Sequence, residues 1–62
     1  GLLEVYANVV GLEIFVLDVE GNSLLKAGKI DQAFTELDPT GWPKNAKWLQ
    51  FVKDGRVRVM KF

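Results

Sequence analysis

The chain has 62 residues, eight acidic and eight basic side chains, and neither Cys nor His. This length allows one domain, residues 1–62, which buries only about 60% of the surface that its unfolded state exposes. The missing Cys and His remove disulfides, thiolate chemistry and the commonest metal ligand. No apolar run approaches the ~20 residues of a membrane-crossing helix. We expect a non-enzymatic domain with no cofactor, metal, small-molecule substrate or membrane association, and a cytoplasmic location by default.

Charge is divided unevenly between the two halves. Residues 1–38 carry seven acids and two bases, a net charge of −5, whereas residues 39–62 carry six bases and one acid, a net charge of +5. This asymmetry is typical either of halves that neutralise each other or of a domain with a polyanionic partner. Because the domain is small, neutralisation within the chain or between subunits is the favoured interpretation.

Two strands are predicted in the first twenty residues. Residues 2–10 alternate with period two, and residues 12–20 are apolar on both faces, which is typical of a central strand. One helix in so short a chain can cover only one of those faces. The surplus apolar side chains therefore predict either a second chain or a closed, barrel-like sheet. Phe15, Leu17 and Val19 are the candidate self-association residues.

The middle of the chain predicts a short strand and the only helix. Turn residues at 20–23 lead into a strand at 24–27, and residues 29–37 then show helical spacing. The apolar positions with that spacing are Ile30, Ala33, Phe34 and Leu37. Gly28 disfavours a longer helix starting at Ser23 by about 1 kcal/mol.

The last seventeen residues predict a β-hairpin. Asp54-Gly55 lies between two apolar-rich runs, and both residues tolerate the positive φ of a type I′ turn. With a two-residue loop, Lys53 faces Arg56 and Val52 faces Val57. We expect one hairpin face to be buried, namely Trp48, Val52, Val57 and Val59. The opposite face would then present Leu49, Phe51, Lys53, Arg56, Arg58, Met60 and Phe62.

That second hairpin face is the candidate binding site. Its proposed residues are Phe51, Lys53, Arg56 and Arg58, with Trp42 from the preceding loop. Cations that follow phosphates and aromatic rings that stack on bases are the components of a single-strand nucleic-acid platform. In the competing interpretation, the cations flank a solvated turn or pair with acids and the aromatic rings belong to the core. Overall neutrality favours that competing interpretation.

Two acidic motifs lack the surroundings that their chemistry needs. Residues 18–22 resemble the start of a calcium loop, but Ser23 and Lys29 occupy the positions that require Gly and Glu. Asp31 and Glu36 lie on the polar side of the predicted short helix, with no second lobe to form a cleft. The sequence therefore predicts neither a metal site nor catalytic residues.

These elements predict an α+β fold in the order β-β-β-α-β-β, with a single short helix packed on a mainly antiparallel sheet. The alternative is a small SH3-like β-barrel of five strands. The expected core consists of Leu3, Val5, Ile14, Val16, Ile30, Phe34, Leu37, Trp48, Val52, Val57 and Val59.

Three functional hypotheses follow. The first is a non-catalytic protein-interaction module that self-associates as a homodimer or binds another protein. The second is a small nucleic-acid-binding module that uses the basic, aromatic hairpin. The third is a fragment or artificial sequence without biological activity.

Overall fold

The computed structural model describes residues 1–62 and contains six β-strands and no helix, so no helix capable of crossing a membrane is present. Strands β1 and β4 form a two-stranded antiparallel sheet, and a second antiparallel sheet has the order β3-β2-β5-β6. The smallest dimension is 15 Å, as expected for two thin layers, since packed sheets lie about 10 Å apart. The strands are β1 (Leu3–Tyr6), β2 (Leu12–Asp18), β3 (Ser23–Ile30), β4 (Phe34–Leu37), β5 (Ala46–Lys53) and β6 (Arg56–Lys61).

The predicted α+β fold is wrong, because residues 29–37 do not form a helix. β3 runs through Gly28 to Ile30, the chain bends, and β4 pairs with β1, with Leu37 opposite Leu3. A helix of nine residues is marginal without tertiary support. Pairing with β1 instead provides hydrogen-bond partners for the peptide groups of β4, and Leu37 still reaches the core.

The alternative prediction, a small SH3-like barrel, has the all-β class that is observed. Its closed sheet, however, is not observed. The six strands form separate sheets of two and four strands instead of one barrel. The four-stranded sheet therefore keeps two edges, β3 and β6.

The prediction that the second strand is central is confirmed. β2 pairs with β3 on one side and β5 on the other. Its side chains Ile14 and Val16 are completely buried. They belong to a core that Leu3 and Val5 of β1 help to cover. The buried cluster consists of Ile14, Val16, Ile30, Leu37, Leu49 and Phe51.

The hairpin and its register are confirmed, but the predicted inner face is wrong. Lys53 pairs with Arg56, and both turn residues have positive φ, +50° at Asp54 and +77° at Gly55. Leu49 and Phe51 are buried, however, whereas Val57 and Val59 are 57% and 46% exposed and Trp48 and Val52 are half-buried. The cause is the pairing of β5 with β2, which sets Leu49 opposite Val16 and Phe51 opposite Ile14. Directly paired residues share a face of the sheet.

The turn between β2 and β3 is organised by the carboxylate of Asp18. Its Oδ1 accepts hydrogen bonds from the backbone N–H groups of Glu20 and Asn22, both at 2.9 Å, and its Oδ2 accepts one from Nδ2 of Asn22 at 3.1 Å. These bonds, led by the one from the Asn22 backbone, lower the pKa of Asp18 below its ordinary value of 3.8. The residues that resemble the start of a calcium loop thus form a hydrogen-bonded turn.

This lowered pKa predicts sensitivity to acid. A carboxyl group whose pKa is lower in the folded state stabilises the fold above its unfolded pKa, and this contribution is lost as the pH falls through the folded pKa. The pKa values of Glu13, beside Lys26, and Asp38, hydrogen-bonded by Thr40, are lowered as well and act in the same direction. We expect the melting temperature to fall as the pH drops from about 5 to about 2.

The variant Asp18→Asn isolates the contribution of Asp18. It should melt at a lower temperature than the wild type at neutral pH, because the amide is uncharged and accepts through one oxygen only. The further fall in its melting temperature on acidification should be smaller than that of the wild type. Thermal melts of both proteins across this pH range measure the difference, and equally steep losses would contradict the role assigned to Asp18.

Candidate interaction surfaces

β6 is the most exposed strand of the molecule. All six of its residues are exposed, on both faces of the sheet. One edge of β6 pairs with β5, and no strand lies along the other. The peptide groups on that outer edge therefore have no partner in the fold.

The hairpin loop determines which peptide groups point outward. In a hairpin with a two-residue loop, the pair that flanks the loop exchanges both hydrogen bonds, so alternate residues of β6 bond to β5. The backbone N–H of Phe62 donates to the oxygen of Lys47 at 3.4 Å, which continues the same alternation. The outward N–H and C=O groups consequently belong to Val57, Val59 and Lys61.

The back face of the four-stranded sheet is not covered by the second sheet. Val57 and Val59 lie there beside the half-buried Val52. Phe15 and Leu17 of the predicted self-association surface point to the same face. Phe15 is half-buried and Leu17 only 4% exposed, so the side chain of Leu17 is enclosed by its own chain. Val19 lies in the turn after β2 and is 71% exposed.

On the front face, four of the five residues in the predicted binding site come together. Phe51, Lys53, Arg56 and Arg58 line one groove with a volume of about 700 Å³. Phe51 is only 7% exposed and forms part of the groove floor, which prevents it from stacking on a base. Trp42 is not part of the groove. Its ring instead meets Phe62 edge-on, with centroids 5.4 Å apart, at the opposite end of β6 from Arg56.

The opposite wall of the groove was missed by sequence reasoning. It consists of residues 5–9, including Tyr6, whose side chain is 73% exposed and whose ring lies 5.0 Å from that of Phe34. The available signal was the period-two pattern of residues 2–10, which contains this wall. Lys53 links the two sides, because its Nζ donates to the backbone oxygen of Val10 at 2.6 Å.

The two oppositely charged halves do not neutralise each other through ion pairs. The only salt bridge joins Lys26 to Glu13 at 2.7 Å, and both residues belong to the acidic half. Arg58 does not pair with an acid of a neighbouring strand, and no other base of residues 39–62 forms a salt bridge. The positive charges of residues 39–62 therefore have no acidic partner within the chain.

No group of three or more acidic, His or Cys residues is arranged to hold a metal ion. Comparison of the chain with protein-family models, curated proteins and solved structures finds no match.

Proposed function

We propose that the chain is a non-catalytic interaction module that self-associates through β6. The outer edge of β6 pairs antiparallel with β6 of a second copy and joins the two four-stranded sheets into one. The observation that carries this proposal is the exposure of β6 on both faces together with its unpaired edge. Such an edge is a ready template for another strand.

The low number of backbone hydrogen bonds is consistent with sheet edges whose peptide groups have no partner in the chain. A domain of this length ordinarily has roughly 40–45 backbone–backbone bonds. This chain has 30. Addition of a strand along β6 supplies partners for outward peptide groups that only water otherwise reaches.

β6 is a better edge for pairing than β3. The ladder between β2 and β3 contains two register shifts, at Ile14/Phe15 and at Val16/Leu17. Bulges of this kind twist a strand and protect an edge against pairing. The six pairs between β5 and β6 are continuous, and β6 contains no Pro.

Charge determines the register of the proposed dimer. The bases of β6 would protect its edge if like charges met across the interface, because opposed like charges are destabilising. A two-fold axis at Arg58 would set the two copies of that residue face to face. An axis at Val59 avoids this clash. It also lets the outward N–H and C=O groups of Val57, Val59 and Lys61 form hydrogen bonds with the second copy. The cross-strand pairs are then Val59 with Val59, Val57 with Lys61, Arg58 with Met60, and Arg56 with Phe62.

The substitution Val59→Pro tests this interface. Proline removes the outward N–H at the two-fold axis, and an edge strand tolerates it there because that N–H has no partner within the chain. Two hydrogen bonds are lost per dimer, each contributing about 0.5–1.5 kcal/mol. We expect the dimer dissociation constant to rise about ten- to hundredfold. Sedimentation equilibrium of wild type and variant measures it.

Val59→Thr is the matched control, because it keeps the N–H and the branched side chain. Its dissociation constant should stay within a few-fold of the wild-type value. Circular dichroism confirms that both variants retain the strand content of the wild type. A wild-type chain that remains monomeric at several hundred micromolar, or a Val59→Pro dimer as stable as the wild type, would refute the proposal.

A further inference from the structure

The groove on the front face is preformed and mostly apolar. It lies between residues 5–9 on one side and the β5–β6 hairpin on the other, with Leu12, Ile30 and Phe51 among its lining residues. Ile30 and Phe51 belong to the buried core, so the floor is fixed by packing. The hydrogen bond from Lys53 Nζ to the Val10 oxygen ties the end of the opposite wall to β5. A ligand can therefore enter without rearrangement of the fold.

Cations line the hairpin side of this apolar floor. Arg56 and Arg58 point to the same face as Lys53 and Phe51, with which they pair across the strands. Neither arginine forms a salt bridge. A guanidinium group pairs best with a carboxylate or phosphate, through two parallel hydrogen bonds. The occupant that matches this charge is an anion with apolar groups.

We infer that the groove binds an extended acidic peptide whose carboxylates pair with Arg56 and Arg58 and whose apolar side chains cover the floor. An extended chain points alternate side chains to opposite sides, which lets acidic and apolar groups follow separate paths along one groove. This site is complete within one chain and does not depend on the proposed pairing of β6.

A nucleic acid fits the same groove less well. Stacking requires an open aromatic face. Phe51 is buried and Trp42 is outside the groove, so Tyr6 is the only exposed aromatic ring along it. A single-strand platform stacks successive bases on several rings. A peptide gains from the apolar floor, whereas a phosphate backbone does not.

The test uses a fluorescein-labelled peptide of alternating glutamate and leucine. A length of about eight residues is chosen because a strand rises about 3.3 Å per residue, which matches the 27–29 Å width of the molecule. Fluorescence anisotropy at low salt should give a saturable curve that weakens as salt is added. Peptides of alternating lysine and leucine, and of glutamate and serine, should bind more weakly, because each lacks one of the two complementary features.

Variants locate the binding site. The double variant Arg56→Gln and Arg58→Gln changes two exposed side chains and should weaken peptide binding roughly tenfold, with an unchanged circular dichroism spectrum. Val59→Pro, which alters the strand edge instead, should leave peptide binding unchanged. The double variant removes charges that face the groove, whereas Val59→Pro removes a backbone N–H at the strand edge. Because they change different groups, failure of the groove and failure of the dimer are distinguishable.

Four results would overturn this inference. They are no binding of the glutamate–leucine peptide, binding that is insensitive to the arginine substitutions, loss of binding in Val59→Pro alone, and tighter binding of an oligothymidylate of equal charge. The third result would indicate docking at the β6 edge. The fourth would identify the groove as a nucleic-acid site.

Discussion

Replacement of Ile14 by Ala is expected to remove a large part of the free energy of unfolding. Ile14 is completely buried in the central strand, and its neighbours across the ladders are Gly28 and Phe51. Removing most of a buried isoleucine side chain costs about 2–5 kcal/mol, through lost burial and the cavity left behind. The total stability of a domain this size is roughly 3–9 kcal/mol, and more often at the lower end.

A graded control accompanies this variant. Ile14→Val removes one methylene group and should cost about 0.5–1.5 kcal/mol, whereas Leu2→Ala, at a side chain that is 53% exposed, should change stability by less than about 0.5 kcal/mol. Urea titrations followed by Trp fluorescence provide the three free energies of unfolding. If Ile14→Ala cost no more than Leu2→Ala, Ile14 would not lie at the centre of the core.

Replacement of Phe51 by Ala should have an effect of the same size or larger. Phe51 is 7% exposed and packs in the buried cluster, where it also forms part of the groove floor. Loss of a buried phenylalanine ring costs about 3–5 kcal/mol. Urea titration of Phe51→Ala, at concentrations where the wild type is monomeric, measures this loss.

Val57→Ala is the informative comparison, because the hairpin pattern alone assigns Val57 to the core and Phe51 to the surface. Val57 is 57% exposed, and its truncation should cost less than about 0.5 kcal/mol. The ratio of the two free-energy changes therefore reports which face of the hairpin is buried. A larger loss for Val57→Ala than for Phe51→Ala would reverse the observed assignment.

The hairpin was predictable because its determinants are local. Asp54-Gly55 fixes both the turn and the loop length, and a two-residue loop fixes every cross-strand pair from Lys53–Arg56 outward. Which face of the hairpin is buried, however, is not determined by the local sequence. Period two shows which side chains share a face, but the pairing of β5 with β2 decides which face is buried.

The helix prediction failed because two periodicities fit the same few residues. Ile30, Phe34 and Leu37 have helical spacing, yet Ile30 ends β3 and Leu37 ends β4, and both reach the core from different strands. Thr35 and Leu37 also fit period two, facing Val5 and Leu3 of β1. Short apolar segments cannot be assigned by periodicity alone. The distant strand β1 decided the outcome.

Only the hairpin side of the candidate site was predictable from the sequence. Lys53, Arg56 and Arg58 were found because they cluster in the sequence on one face of the hairpin. Tyr6 and the opposite wall were missed, because tertiary packing brings residues 5–9 to the hairpin from about fifty residues away. Ion pairing of the two charged halves within the chain is not observed, since it depends on three-dimensional positions that a charge count does not contain. Neutralisation between subunits stays a prediction.

Amide hydrogen exchange at increasing protein concentration, followed by nuclear magnetic resonance, tests most directly whether β6 pairs with a second copy. The N–H groups of Val57, Val59 and Lys61 should exchange rapidly at high dilution and become protected as the chain associates. The N–H groups of Arg58 and Met60, which already bond to β5, should change little. Association that leaves the exchange of Val57, Val59 and Lys61 unaltered would contradict pairing through β6.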